Sequence, residues 1–300
     1  MEVNYSKCAE LAGSSFSEVP SKYVNYHFKG GKSSKVEWKK SITEDSSVCT
    51  VQFEVPGDIK GPIYLYYKLT NFYQNHRKYV ESYDWQQLRG KAVEHDAVNS
   101  KCDPMRYRDG KIVYPCGLVA NSMFNDTFSS LSAQSGDDYE FSSEGIAWSS
   151  DLSLYRESQY DVADIVPPEN WMQRYPNGYT KADLAALAKD ERFMNWMKTA
   201  ALPSFMKLYG RSDTTLKQGT YAVDIGLNYE VAIFGGTKSV ILSTSSVLGG
   251  RHLSLGICYL IVGGLSVVFM LAFLVKHLFT RKQTDHAFLD GLAGQEREVL

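Results

Sequence analysis

The sequence lacks an excess of either charge. Its 32 Lys and Arg face 34 Asp and Glu, and no long basic run interrupts the mixture. Binding nucleic acid takes a clustered basic face, so that class is disfavoured. Short catalytic signatures are also missing. There is no G-x-S-x-G elbow, no H-E-x-x-H, no Walker phosphate loop and no kinase motif set. The five cysteines contain no C-x-x-C spacing, which leaves a metal site unsupported. Internal repeats and low-complexity tracts are absent. Long apolar runs are absent too, with one exception.

The exception is the uncharged stretch 253–275. Roughly 20 apolar residues cross the hydrocarbon core of a bilayer as a helix, so this run is long enough to span. Lys276, His277, Arg281 and Lys282 follow it. The positive-inside tendency puts that side, and residues 276–300, in the cytosol. Residues 1–252 then form a lumenal or extracellular ectodomain, large enough for one big core or two small ones. The polar tail argues against a lipid-anchor signal, which would end on its apolar stretch. It reads as mostly disordered and solvated. Gly256 and Gly263, seven positions apart, share a helix face. Such glycines suit a partner helix but are also ordinary in membrane helices.

Met1 opens directly into polar sequence, with no signal peptide or earlier span. A lone C-terminal span would leave the large domain cytosolic. The charge asymmetry and the cysteines favour a chain that lacks an N-terminal targeting or spanning segment. Cys258 lies in the span as a small packing residue. Cys8, Cys49, Cys102 and Cys116 remain in the ectodomain, an even number suited to two disulfides in an oxidising compartment. Three pairings are possible. Proximity favours Cys102–Cys116, and elimination then leaves Cys8–Cys49. Two N-glycosylation sequons agree with this topology: Asn4-Tyr5-Ser6 and Asn125-Asp126-Thr127.

Periodicity predicts strands near both ends of the ectodomain. Residues 51–55, 63–69 and 221–227 alternate with period two, and a further strand over 239–244 follows the Gly235-Gly236 turn. The middle, about 71–219, reads as loops, turns and short helices. Thr180 with Asp183 predicts a helix N-terminus. Leu187, Met194, Met197 and Ala201 continue one helical face until Pro203 ends it. Pro167-Pro168 marks an extended connector. The fold class is therefore mainly β, a sheet core made by the sequence ends around a long ordered insertion. Loop-closure cost grows slowly with length, so that arrangement is tolerable.

Residues that could carry chemistry read as structural. His76, beside Asn75 and Arg77, has no nucleophile partner in view and suits a hydrogen-bonded loop position. Asp103 and Asp126 could be paired as glycosidase carboxylates, but nothing in their spacing singles them out. No cofactor is implied. The rival classes are a membrane-anchored lumenal hydrolase, which would need a catalytic dyad in a deep cleft, and a receptor or adhesion ectodomain, which would work without a membrane partner.

Several unusual strings are more specific. They are YYKLTNFYQNHRKYV at 66–80, QLRG at 87–90, PCGLVANSMFNDT at 115–127, GIAW at 145–148, WMKTAALP at 196–203 and KLYGR at 207–211. Asn228-Tyr229 and the stretch from Leu242-Ser243-Thr244 to Gly249-Gly250 follow. In this order they resemble the cell division control protein 50 / ligand-effect modulator family over about 2–275. Members are the β-subunits of type-IV P-type ATPases, the phospholipid flippases. The resemblance implies a cytosolic N-terminus, a first span, a glycosylated antiparallel β-sandwich ectodomain and a second span. Residues 2–5 look like the segment just after the first span, so the chain would lack its N-terminal tail and first helix. That places Asn4 near the membrane surface and leaves Asn125 as the glycan site. Family disulfides pair the cysteines corresponding to Cys102 and Cys116, and the other pair fits Cys8 and Cys49. No catalytic residue is implied. The α-subunit is phosphorylated on its own aspartate and moves the lipid, while the β-subunit folds with it, permits its exit from the endoplasmic reticulum and supports transport.

Overall fold

A computed structural model describes residues 1–28, 33–43, 47–244 and 253–295. It divides into two compact units, Met1–Val247 and Leu248–Leu300.

Along the first unit run β1 (Glu2–Asn4), β2 (Ser17–Glu18), β3 (Val24–Asn25), β4 (Val36–Ile42), β5 (Ser47–Val55) and β6 (Ile63–Leu69). Next come β7 (Tyr107–Arg108), β8 (Lys111–Val113), β9 (Thr127–Phe128), β10 (Ser132–Ala133) and β11 (Ile165–Val166). The last three are β12 (Phe205–Ser212), β13 (Gly219–Gly226) and β14 (Lys238–Ser243). They form a five-stranded sheet, β12-β6-β14-β1-β3, and a six-stranded sheet, β10-β13-β5-β4-β2, with β9 also on β13. Both are antiparallel. A small third sheet, β11-β8-β7, lies in the insertion.

The two large sheets share one core, because each turns alternate side chains inward. Val3, Leu65, Leu69 and Val240 from the first sheet join Trp38, Val51, Phe53, Val223 and Ile225 from the second in a single buried cluster. The strands expected over 51–55, 63–69, 221–227 and 239–244 are present to within a residue or two at most of their ends, with β5 beginning earlier, at Ser47. The two ends of the unit meet directly: Val3 stands opposite Val240, and Glu2 opposite Ile241.

Two expectations about the middle need correction. The insertion ends sooner than 219, because Phe205–Ser212 is a strand on the edge of the five-stranded sheet. Its period was hidden: Lys207 is buried between inward-facing Phe205 and Tyr209, while apolar Met206 points out at 46% exposure. The single helix expected from Thr180 to Pro203 is two, Lys181–Leu187 and Glu191–Met197. Thr180 and Asp183 form a reciprocal capping box at the first. The Asp190 side chain then accepts from the Phe193 N–H and starts the second. That cap competes with simple continuation.

The described residues of the second unit form one helix, Leu253–Gln295. Within it Leu255–Phe279 is long and apolar enough to cross a membrane. Its apolar side chains are exposed all round, which suits a lipid environment rather than an amphipathic face. Ser266 donates to the Val262 carbonyl at 2.9 Å and so satisfies its hydroxyl within the helix. The mostly disordered tail expected after residue 275 is instead helical over 276–295. No proline interrupts that stretch, and Lys, Arg, Gln, Leu and Ala within it favour helix.

Candidate functional site

The insertion between β6 and β12 is held together by buried polar side chains that clip distant loops. Gln74, fully buried, accepts from the Ala200 N–H at 2.8 Å through Oε1. Gln87, also fully buried, accepts from the Cys116 N–H at 2.9 Å. The indole N–H groups of Trp171 and Trp196 donate to the carbonyls of Ala120 and Val119 at 2.8 and 2.7 Å. Glu191 accepts three backbone N–H groups, from Gly145 at 3.0 Å, Ile146 at 2.7 Å and Ala147 at 2.6 Å. Charged acceptors make the stronger hydrogen bonds, so Glu191 fixes the GIAW string against its helix. Two glycines in the strings are dictated by geometry. Gly117 has φ +100°, and a Cβ there would lie 2.1 Å from the Ser82 carbonyl oxygen; at Gly90, φ +84°, it would lie 2.3 Å from that of Glu157.

A buried ionic lock joins the insertion to the sheets. Asp126 Oδ2 lies 2.7 Å from Lys238 Nζ and accepts from the Tyr5 hydroxyl at 2.9 Å. Its Oδ1 accepts from the Asn228 and Tyr229 N–H groups, both at 2.6 Å. Lys238 also donates to the Tyr229 carbonyl at 2.6 Å. The side chains of Asp126 and Lys238 are 0% and 6% exposed, so the pair stands outside water and depends on these partners. Burial, then the Asp126 charge, pushes the Tyr5 phenol well above its ordinary range. Burial lowers the Lys238 pKa against the pull of Asp126. This environment makes Asp126 a structural carboxylate rather than a glycosidase acid.

The other sequence candidates fall elsewhere. Asp103 is exposed. His76 is an exposed N-cap whose carbonyl accepts from Tyr79 and Val80. Asn4 closes a local turn by accepting from the Ser6 N–H. The structure bonds Cys8 to Cys49, Cα atoms 6.1 Å apart, joining the short helix Cys8–Leu11 to β5. It bonds Cys102 to Cys116, 5.6 Å apart, within the insertion. Cys258 is free and exposed in the helix. Among the described residues no group of three or more His, Cys, Asp or Glu could hold a metal ion.

Asn125 lines a cleft of about 610 Å³ between residues 123–127 and the two helices, with Trp171, Arg174, Asp190, Arg192 and Tyr209 around it. The Arg192 guanidinium stacks on the Tyr209 ring at 3.7 Å and donates to the Tyr209 carbonyl at 2.9 Å. Sequence reasoning found Asn125 from its sequon but not this cleft, because the lining residues come from distant segments.

The fold and its clips define a class: a braced β-sheet unit whose chain continues into an apolar helix of membrane-crossing length. Similarity to known proteins narrows that class. The model of the LEM3 (ligand-effect modulator 3) family / CDC50 family matches residues 1–283. Phospholipid-transporting ATPase accessory subunit CRF1 of Saccharomyces cerevisiae is 44% identical over 96% of this chain and 75% of that protein. Phospholipid-transporting ATPase accessory subunit CDC50 of Chaetomium thermophilum is 38% identical over 96% of this chain and 78% of its own length. Cell cycle control protein 50A of Mus musculus is 36% identical over 81% and 71%. The chain belongs to the LEM3/CDC50 family. Its relatives are named as accessory subunits, not catalytic ones.

Proposed function

We propose that this chain is the non-catalytic accessory β-subunit of a type-IV P-type ATPase that moves phospholipid across a bilayer. The observation that carries the reading is similarity along 96% of the chain to accessory subunits of phospholipid-transporting ATPases. The lack of the catalytic motifs named above and the structural setting of Asp126 accord with it. In this reading residues 1–252 face the lumen or the exterior, 253–275 cross the membrane and 276–300 face the cytosol. The subunit folds with its ATPase, permits export from the endoplasmic reticulum and supports transport. Its membrane is one of the secretory pathway: endoplasmic reticulum, Golgi, endosome or plasma membrane. Cys8–Cys49 and Cys102–Cys116 brace the ectodomain, and Asn125 carries a glycan that assists folding.

The test is recovery of the tagged protein from cells in mild detergent, with co-purifying proteins identified by mass spectrometry. A stoichiometric type-IV P-type ATPase is the expected companion. Recovery of folded, glycosylated protein alone under every expression condition would sink the reading and return the receptor and hydrolase classes to contention.

A further inference from the structure

Resting on the reading of Asn125 as glycosylated, we propose that the cleft beside it is the docking site for the first sugars of that residue's own N-glycan. Both recognition positions of the sequon, Asn125 and Thr127, line the cleft. Asn125 is held there, since its carbonyl accepts from Asn228 Nδ2 at 3.0 Å. Its side-chain Oδ1 is buried with no hydrogen-bond partner.

The cleft has the composition a neutral sugar requires. Its volume of about 610 Å³ falls in the range of roughly 300–1,000 Å³ typical of ligand pockets. Buried rings of Phe124, Trp171 and Tyr209 line it together with the exposed polar side chains of Glu144, Asn170 and Gln173. A pyranose has apolar C–H faces and a belt of hydroxyls, and an acetamido group adds a donor and an acceptor. Most charges around the cleft are answered within the protein, and the exposed pair Glu144 and Lys189 are of opposite sign. Asp126 meets Lys238 at 2.7 Å, Arg174 meets Asp190 at 3.2 Å, and Glu191 is filled by backbone N–H groups. Such a site favours neither a free anion nor a free cation. Covalent attachment at the rim also makes docking intramolecular, so weak contacts suffice. The docked sugars would join the loop carrying the Asp126 lock to the helices carrying Glu191, adding a non-protein strut to the insertion.

The experiment uses the full chain made in a glycosylating eukaryotic cell, purified in mild detergent and treated with peptide N-glycosidase. Release at Asn125 is followed by site-specific peptide mass spectrometry. Release from the folded protein should be about tenfold slower than from the urea-unfolded chain, equivalent to about 1.4 kcal/mol of protection. Ala186→Trp, which fills the cleft from an exposed lining position, should abolish that protection with circular dichroism unchanged. The pair Asn170→Ala and Gln173→Ala should reduce it, and that pair decides the matter if the tryptophan variant does not fold. Equal release from folded and unfolded protein, or protection indifferent to the cleft variants that fold, overturns the docking alone. An Asn125 that carries no glycan overturns both docking and the glycosylation reading.

Discussion

Asp126 is the residue at which several distant segments of the β-sheet unit meet. It takes hydrogen bonds from the 228–229 loop and the residue after β1, and an ion pair from the start of β14. Removing one partner of a buried pair leaves the other charge uncompensated, at a cost of about 3–5 kcal/mol. Asp126→Asn keeps the sequon intact and should lower stability by that amount in denaturant unfolding. Asp126→Leu with Lys238→Met, which removes both charges, should cost less. The buried tyrosines set the alkaline limit. Burial raises the phenols of Tyr5, Tyr67, Tyr79, Tyr114 and Tyr179, with Tyr79 and Tyr114 reaching about 12. In the unfolded chain these groups ionise near pH 10. Above that pH the unfolded state holds fewer protons than the native one, so stability falls as pH rises. The contribution is intact below pH 10 and is lost through pH 12 and beyond. Thermal midpoints measured with tyrosinate absorbance should show unfolding and phenol ionisation moving together.

Among the elements, the helix Glu191–Met197 is placed by its first residues. Asp190→Ala removes the cap on Phe193 and should cost about 1 kcal/mol. Glu191→Gln weakens three charge-assisted bonds, and a bond to a charged group is worth about 1.5–3 kcal/mol. The local sign should be faster amide hydrogen exchange at Ile146 and Ala147, whose N–H groups Glu191 receives. These elements also show which parts of the fold were readable in sequence. β5, β6, β13 and β14 announced themselves because inward and outward side chains differ in polarity. β12 did not, because a lysine faces in and a methionine faces out. The capping box at Thr180 was legible, being local. The second cap at Asp190 was overlooked because the apolar spacing of Leu187 and Met194 ran across it. The clips of Gln74, Gln87 and Glu191 join residues tens of positions apart, and no local pattern betrays them. The same holds for the cleft: its sequon was visible, its walls were not.

At the scale of the whole β-sheet unit, the two disulfides act over different ranges. Cys8–Cys49 closes a separation of 41 residues and ties the helical turn Cys8–Leu11 to β5, whereas Cys102–Cys116 closes 14 within the insertion. Cross-links over longer loops constrain the unfolded chain more, and removing a native disulfide costs about 2–5 kcal/mol. Replacing Cys8 and Cys49 with serine should therefore lower the midpoint of unfolding of the β-sheet unit more than the same change at Cys102 and Cys116. Differential scanning calorimetry of the two variants side by side would show it.

The meeting of β1 with β14 also sets a timetable for synthesis. Met1 bonds Leu242 across 241 positions of chain, and Val3 waits for Val240. A ribosome adds roughly 5–20 residues per second, so β1 stands without that neighbour for on the order of 10–50 s. The β4–β5 hairpin can zip at once, but β6 and β1 must keep open the place that β14 will take between them. β14 ends at Ser243 and the apolar helix begins at Leu253. The sheet unit is thus completed at nearly the moment the apolar helix is made, so a chain released early would carry an unfilled slot in its sheet as the mark of its incompleteness.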